Sequence, residues 1–185
     1  MLAAIEGDGL RTIRDRAVLA IGMAAALRRS EIVALEVGHV GIVPEGLRLT
    51  IARSKTDRAG EGAVIAIPEG TRIRPKALLL AWMAAAGHAE GPLFRRLTRK
   101  DALTSAPMSD RAIARLVQTH AAAAGYDPTL FGGHSLRAGF ITEGAAQGAT
   151  IFKLQEVSRH KSVQVLSEYV RNADLFKDHA GQRFL

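Results

Sequence analysis

The most constraining feature of the sequence is one pair of strand-like runs set among helical segments. Residues 47–53, LRLTIAR, alternate, with Leu47, Leu49 and Ile51 on one side and Arg48 and Thr50 on the other. That is the pattern of a half-buried strand. A turn-forming stretch, SKTDRAGEG (54–62), separates it from a second β-rich run, AVIAIP (63–68). The two read as a hairpin with a long polar loop.

The remaining segments are helical. Residues 10–27 place Leu10, Ile13, Val18 and Ile21 on one face, and their alanine content favours a helix. A polar break follows at Arg28-Arg29-Ser30, where Ser30 is expected to cap a short helix, EIVALEV. Residues 74–87 carry Pro75 near the start and end at Gly87. Residues 109–125 start at Ser109, a cap, and stop at Gly125. Three shorter helices are expected at 135–147, 150–158 and 162–172, separated near Gly148 and at Arg159-His160-Lys161. The predicted fold is mainly α with a small antiparallel β-sheet.

Composition narrows the function. The 185 residues hold 25 Lys+Arg and 18 Asp+Glu, a net charge of +7, with 48% hydrophobic residues. A domain of this size buries a core and is not a disordered chain. With no cysteine, disulfides, thiolate zinc sites and a cysteine nucleophile are excluded. No apolar run of about 18 residues appears, and no signal peptide is visible in the first ten. The expectation is a soluble, cytoplasmic, basic domain, for which nucleic acid is a candidate partner. The histidines show no HExxH, and the glycine patterns GDG (7–9) and GEG (60–62) do not sit between a strand and a helix. Neither a metal nor a nucleotide cofactor is expected.

The chemistry-bearing residues stand at element junctions. Arg28 and Arg29 interrupt an apolar segment, where the plain reading is a pair of solvated termini. His134 and Arg137 lie three apart at a helix start, and the run GGHSLR leaves backbone N–H groups free to meet an anion. Tyr169 shares a helix with Val163, Leu166 and Val170, where a tyrosine is ordinarily a core residue. Together these types fit phosphodiester transfer. Arginine forks match the non-bridging oxygens, and the reaction also needs a nucleophile and a proton donor for the departing oxygen. A tyrosine phosphate ester keeps the bond energy, so strands can be rejoined without ATP.

Four strings fall in one order along the chain: ALRRSEI (26–32), RSKT (53–56), GHSLRAG (133–139) and HKSVQVLSEY (160–169). In that order they resemble the boxes of the tyrosine recombinase (phage integrase) family, to which Cre and the Xer recombinases belong. The resemblance covers almost the whole chain and implies the catalytic-domain, DNA breaking-rejoining fold. It implies that Arg28 and Arg137 hold the scissile phosphate, Lys55 protonates the leaving 5′ oxygen and Tyr169 is the nucleophile. His134 would help accept the tyrosine proton, and His160 would donate a hydrogen bond to a non-bridging oxygen. Glu31 would orient Arg28 or His134. The residue before His160 is commonly glycine in the family and here is Arg159, a further cation beside the phosphate. Arg29 reads as a salt-bridge or DNA-backbone residue, and Tyr126 as packing or surface.

DNA contact is expected elsewhere too. Arg111 and Arg115 stand one turn apart, on a helix that the family lays in the major groove; the bland alternative is a solvated face. Arg95, Arg96, Arg99 and Lys100 form a basic cluster, and Arg53 and Arg58 flank Lys55. The resemblance places the catalytic domain at 1–171 and a tail at 172–185 that docks on a neighbouring subunit, with the family's N-terminal core-binding domain absent. The implied partners are a double-stranded recombination site and a tetramer on DNA, becoming a monomer without it. Two other readings compete: a type IB topoisomerase, and a DNA-binding module without catalysis.

Overall fold

The computed structural model describes residues 1–52 and 62–173. Its elements in order are α1 (Leu10–Ala24), α2 (Arg29–Val33), β1 (Val40–Val43), β2 (Gly46–Ile51), β3 (Ala63–Pro68), α3 (Pro75–Ala86), β4 (Arg95–Leu97), β5 (Leu103–Pro107), α4 (Asp110–Ala123), α5 (Ser135–Ala146), α6 (Ile151–Ser158) and α7 (Val163–Ala173). The expected architecture, mainly helical with a small antiparallel sheet, is what forms, and a second, two-stranded sheet is added to it. No helix among the described residues is long and apolar enough to cross a membrane.

The hairpin is present, β2 pairing antiparallel with β3 from Gly46 opposite Pro68 to Ile51 opposite Ala63. Leu47, Leu49 and Ile51 are buried while Arg48 and Thr50 are exposed, as the alternation requires. Three strands were not expected. β1 adds an edge to β2, and β4 pairs with β5 in a separate two-stranded sheet. All three are short.

Three helix boundaries differ from expectation, the plainest being α2, which ends at Val33 instead of running to Val37. α1 stops at Ala24 although no glycine follows. Ala26 adopts the left-handed conformation at φ 48°, its N–H donates to the Met23 carbonyl and that of Leu27 to the Gly22 carbonyl. This is a Schellman ending with alanine where glycine is usual, held by the complete burial of Leu27. The third correction concerns Ser30. It is exposed inside α2 rather than capping it. The cap position is Arg28, and the Glu31 carboxylate, three residues on, accepts the Arg28 N–H.

Two apolar clusters form. The larger one takes buried residues from α1 to α4 and the three-stranded sheet, including Ile21, Leu49, Leu79, Trp82 and Phe94. The smaller holds Ile141, Ala145, Leu154 and Leu166 from α5, α6 and α7. α5 belongs to both. Its first turn sends Leu136 into the larger cluster, and its later turns supply Ile141 and Ala145 to the smaller. Leu136 can approach α1 because residue 22 is glycine. A Cβ there would come within 2.6 Å of Leu136 Cδ1 and 2.9 Å of Ile32 Cδ1. Arg137 is therefore delivered at the junction of the two clusters.

Candidate active site

Glu31 lies at the centre of the site. Its Oε1 accepts from Arg28 Nη1 at 2.7 Å, and its Oε2 from the Arg28 backbone N–H at 2.8 Å. Oε2 also accepts from Arg159 Nη2 at 2.7 Å. The carboxylate is almost wholly buried, whereas the Arg28 side chain retains 26% exposure. Arg28 is thus braced from behind and open in front. Burial pushes the Glu31 carboxyl up, but the Arg28 N–H, the Arg159 charge and the Arg28 side chain outweigh it and hold it below the ordinary value.

Arg137 is buried, 4% exposed, and two fixed partners orient it. Nη1 donates to the Ala26 carbonyl at 2.9 Å, and Nη2 to His160 Nδ1 at 3.2 Å. The Ala25 carbonyl accepts from Arg159 Nη1 at 3.3 Å. The end of α1 has carbonyls without helical partners, and two arginines from distant segments take them. Burial, then the charges of Arg28 and Arg159, lower Arg137 to about 10, which leaves it cationic near neutrality.

The same contact sets the His160 tautomer. A guanidinium only donates, so Nδ1 accepts and the neutral ring carries its proton on Nε2. The Ser158 Oγ, 2.8 Å from Nδ1 and 2.5 Å from the Leu154 carbonyl, has one proton to give, and donating it to Nδ1 suits the same tautomer. Burial, followed by the charges of Arg137, Arg28 and Arg159, pushes His160 down to about 4. The ring is neutral at pH 7 and offers an Nε2–H.

Tyr169 packs, half-buried, against the smaller cluster on α7. Its phenol is near enough to act electrostatically on Arg137. The two sequence readings of this residue are compatible: its ring is anchored by core packing, and its phenol is within electrostatic reach of Arg137. His134 stays apart. It is the exposed N-cap of α5 and makes no side-chain cap bond. Gly133 before it lies over Arg29, where a Cβ would meet Arg29 Cδ at 2.4 Å. Arg29 itself forms an ion pair with Asp110 at 3.5 Å. Lys55, Arg53 and Arg58 lie outside the described residues.

The proposed DNA-contacting residues divide. Arg111 and Arg115 are exposed on α4 and, with Arg96 and Arg11, border a cleft of about 420 Å³. Arg99 and Lys100 are exposed in the β4–β5 turn. Arg95 is half-buried, and its Nη2 donates to the Glu90 carbonyl at 2.6 Å, so its charge is directed into its own loop. Beneath the cleft, Asp15 joins Arg14 at 2.7 Å to His120 at 3.1 Å. Neither Ser158 nor the α1 carbonyls were identified from sequence: the carbonyls act through tertiary contacts, and the local contact of Ser158 with His160 depends on how the turn between them folds. The unusual Arg159 was the only visible signal.

A model of the phage integrase family matches residues 1–175. The chain belongs to that family. Among curated members, this integrase-family chain is 36% identical over 180 residues to an integrase/recombinase XerD homologue of Selenomonas ruminantium, covering 96% of the chain and 53% of that protein. It is 34% identical over 185 residues to the tyrosine recombinase XerD of Xanthomonas axonopodis pv. citri, covering 97% and 58%. The chain thus spans about half the length of the curated relatives it matches. Among solved structures, it shares the fold of the XerH site-specific recombinase bound to a palindromic difH substrate in a post-cleavage complex. The TM-score is 0.73 at 16% identity, over 94% of this chain and 47% of that one.

Proposed function

We propose that this chain is the catalytic domain of a site-specific DNA recombinase or integrase. It would cut and rejoin strands through a 3′-phosphotyrosine at Tyr169, using neither ATP nor a metal. The observation that carries this reading is the pair of braced arginines, Arg28 on the buried Glu31 carboxylate and Arg137 on His160, with the Tyr169 phenol within electrostatic reach of Arg137. Arg28, Arg137 and Arg159 against Glu31 leave a site charge of 3 − 1 = +2, His160 being neutral. A phosphodiester carries one negative charge and its pentavalent transition state about two, so fixed cations of this number favour the transition state over the substrate.

In this scheme the Tyr169 oxygen attacks phosphorus while the bond to the 5′ oxygen breaks. Arg28 and Arg137 hold the non-bridging oxygens, and the His160 Nε2–H donates to one of them. Lys55 supplies the proton to the leaving 5′ oxygen, and His134 helps receive the phenol proton; both roles rest on the family resemblance. The released 5′ hydroxyl of a partner strand then attacks the phosphotyrosine and regenerates the phenol. Arg96, Arg111 and Arg115 hold duplex DNA along the α4 cleft, and each phosphate contact steepens the salt dependence of binding by about one unit of slope. Assembly on the recombination site is as a tetramer.

The test uses a pool of nicked duplexes of random sequence, incubated with the chain and resolved on a denaturing gel. A covalent adduct is expected from the wild type and none from Tyr169→Phe. An adduct that persists in the variant removes Tyr169 as the nucleophile.

A further inference from the structure

Arg159 occupies a backbone position unfavourable to it. It follows α6 in the left-handed conformation, φ 56° and ψ 40°, where a side chain ordinarily costs about 1–2 kcal/mol and glycine costs nothing. The adjoining groups hold it there. Its N–H donates to the Gln155 carbonyl at 2.7 Å, and Gln155 Nε2 donates to the His160 carbonyl at 2.9 Å.

The side chain then runs inward. Its Nη1 donates to Val157 and Ala25 carbonyls and its Nη2 to Glu31 Oε2, with the side chain only 14% exposed. One guanidinium thus ties the end of α1, the acid of α2 and the turn that carries His160. Its Nε is buried with no hydrogen-bond partner, so the group is not placed to maximise its own bonding. Burial depresses its own protonation and Glu31 opposes that effect.

We propose that Arg159 is a positioning residue: it fixes the Glu31 carboxylate, which in turn aims Arg28 at the phosphate. This rests on the recombinase reading given above. Without Arg159, both remaining partners of the carboxylate belong to Arg28, so nothing fixes the Glu31–Arg28 pair from outside it. The role is one of placement, because the guanidinium is directed at Glu31 and the α1 carbonyls.

Arg159→Gly separates placement from folding, since glycine suits the left-handed position and needs no refitting of the turn. Two measurements are made on the 185-residue chain. The first is the Glu31 carboxyl titration by ¹³C NMR without DNA, in which the midpoint is expected to rise in Arg159→Gly and less so in Arg159→Lys. The second is the rate of adduct formation on the duplex recovered from the random pool. Arg159→Gly is expected to slow it by up to about 100-fold, the size of penalty that small misplacements of catalytic groups carry. The DNA concentration at half-saturation should be unchanged and Arg159→Lys should recover part of the rate. Because the effect passes through Glu31, Arg159→Gly combined with Glu31→Gln should be no slower than Glu31→Gln alone. A Glu31 titration that does not move, or losses that add in the double variant, overturns the proposal. A wild type that forms no adduct dependent on Tyr169 overturns the recombinase reading instead, and the Glu31 titration still decides this one.

Discussion

The two apolar clusters hold the site from opposite sides and differ in strength. The larger one fixes Arg28 and Glu31 through α1 and α2. Trp82 is fully buried there and its Nε1–H donates to the Leu93 carbonyl at 2.7 Å. The smaller one carries Tyr169 and packs Ile141, Ala145, Leu154 and Leu166 between short helices. Arg28 is thus attached to the more extensive core, Arg137 stands between the two, and Tyr169 is attached to the slighter one. Stability of individual segments follows local packing, so the segment bearing Tyr169 is the one expected to open first.

The largest effect tests this difference directly. Trp82→Ala should cost about 3–5 kcal/mol and lower the melting of the whole domain. Leu166→Ala, removing a fully buried side chain of the smaller cluster, should cost about 2–5 kcal/mol and speed amide exchange in α6 and α7 while α1 and α3 stay protected. If α1 and α7 lose protection together in Leu166→Ala, the clusters are one cooperative unit and the contrast fails.

A middling effect comes from pH. His160 sits at about 4 against an ordinary 6.5, so the unfolded chain takes up the proton more readily than the folded one. Stability is complete above about 6.5, declines as pH falls toward 4, and then levels off. Glu31, held below its ordinary value, adds a loss at lower pH still. Thermal melts across pH 4 to 7 should show this slope, and His160→Asn should flatten it. A slope unchanged in that variant would place its source elsewhere.

The smallest effect concerns the end of α1. Ala26→Gly relieves a left-handed alanine worth roughly 1–2 kcal/mol, offset in part by the greater freedom of glycine in the unfolded chain. The melting temperature should rise by about 2–4 °C. A fall would show that the Ala26 methyl contributes packing that outweighs its strain.

Most helices were legible because their ends are written locally. Ser109 accepts the Ala112 N–H at 3.2 Å, and Gly87 and Gly125 take positive φ. The ends that escaped detection depend on tertiary contacts. Nothing local marks Ala26 as a left-handed terminus, and Ser30 lost the cap because Glu31 reaches back to Arg28. β1, β4 and β5 are too short to show alternation. In the site, Arg28, Glu31, Arg137, His160 and Tyr169 were all proposed through the family motifs, and four of them form two hydrogen-bonded pairs, Arg28 with Glu31 and Arg137 with His160. What the sequence did not reveal is how they are held. The burial of Arg137 depends on a carbonyl 111 residues away, and the Arg159–Glu31 pair spans 128 residues.

The Ala25 and Ala26 carbonyls that receive Arg159 and Arg137 belong to the main chain. No substitution at either position deletes an oxygen; it can only distort the turn that presents it. The grip on both guanidiniums therefore uses neither side chain directly, although both alanines are fully buried and leave room only for small residues. A carboxylate in the same place would be lost to one base change and would release its hold in acid. Anchoring the cations partly on peptide groups gives each of them a hold that no proton can titrate.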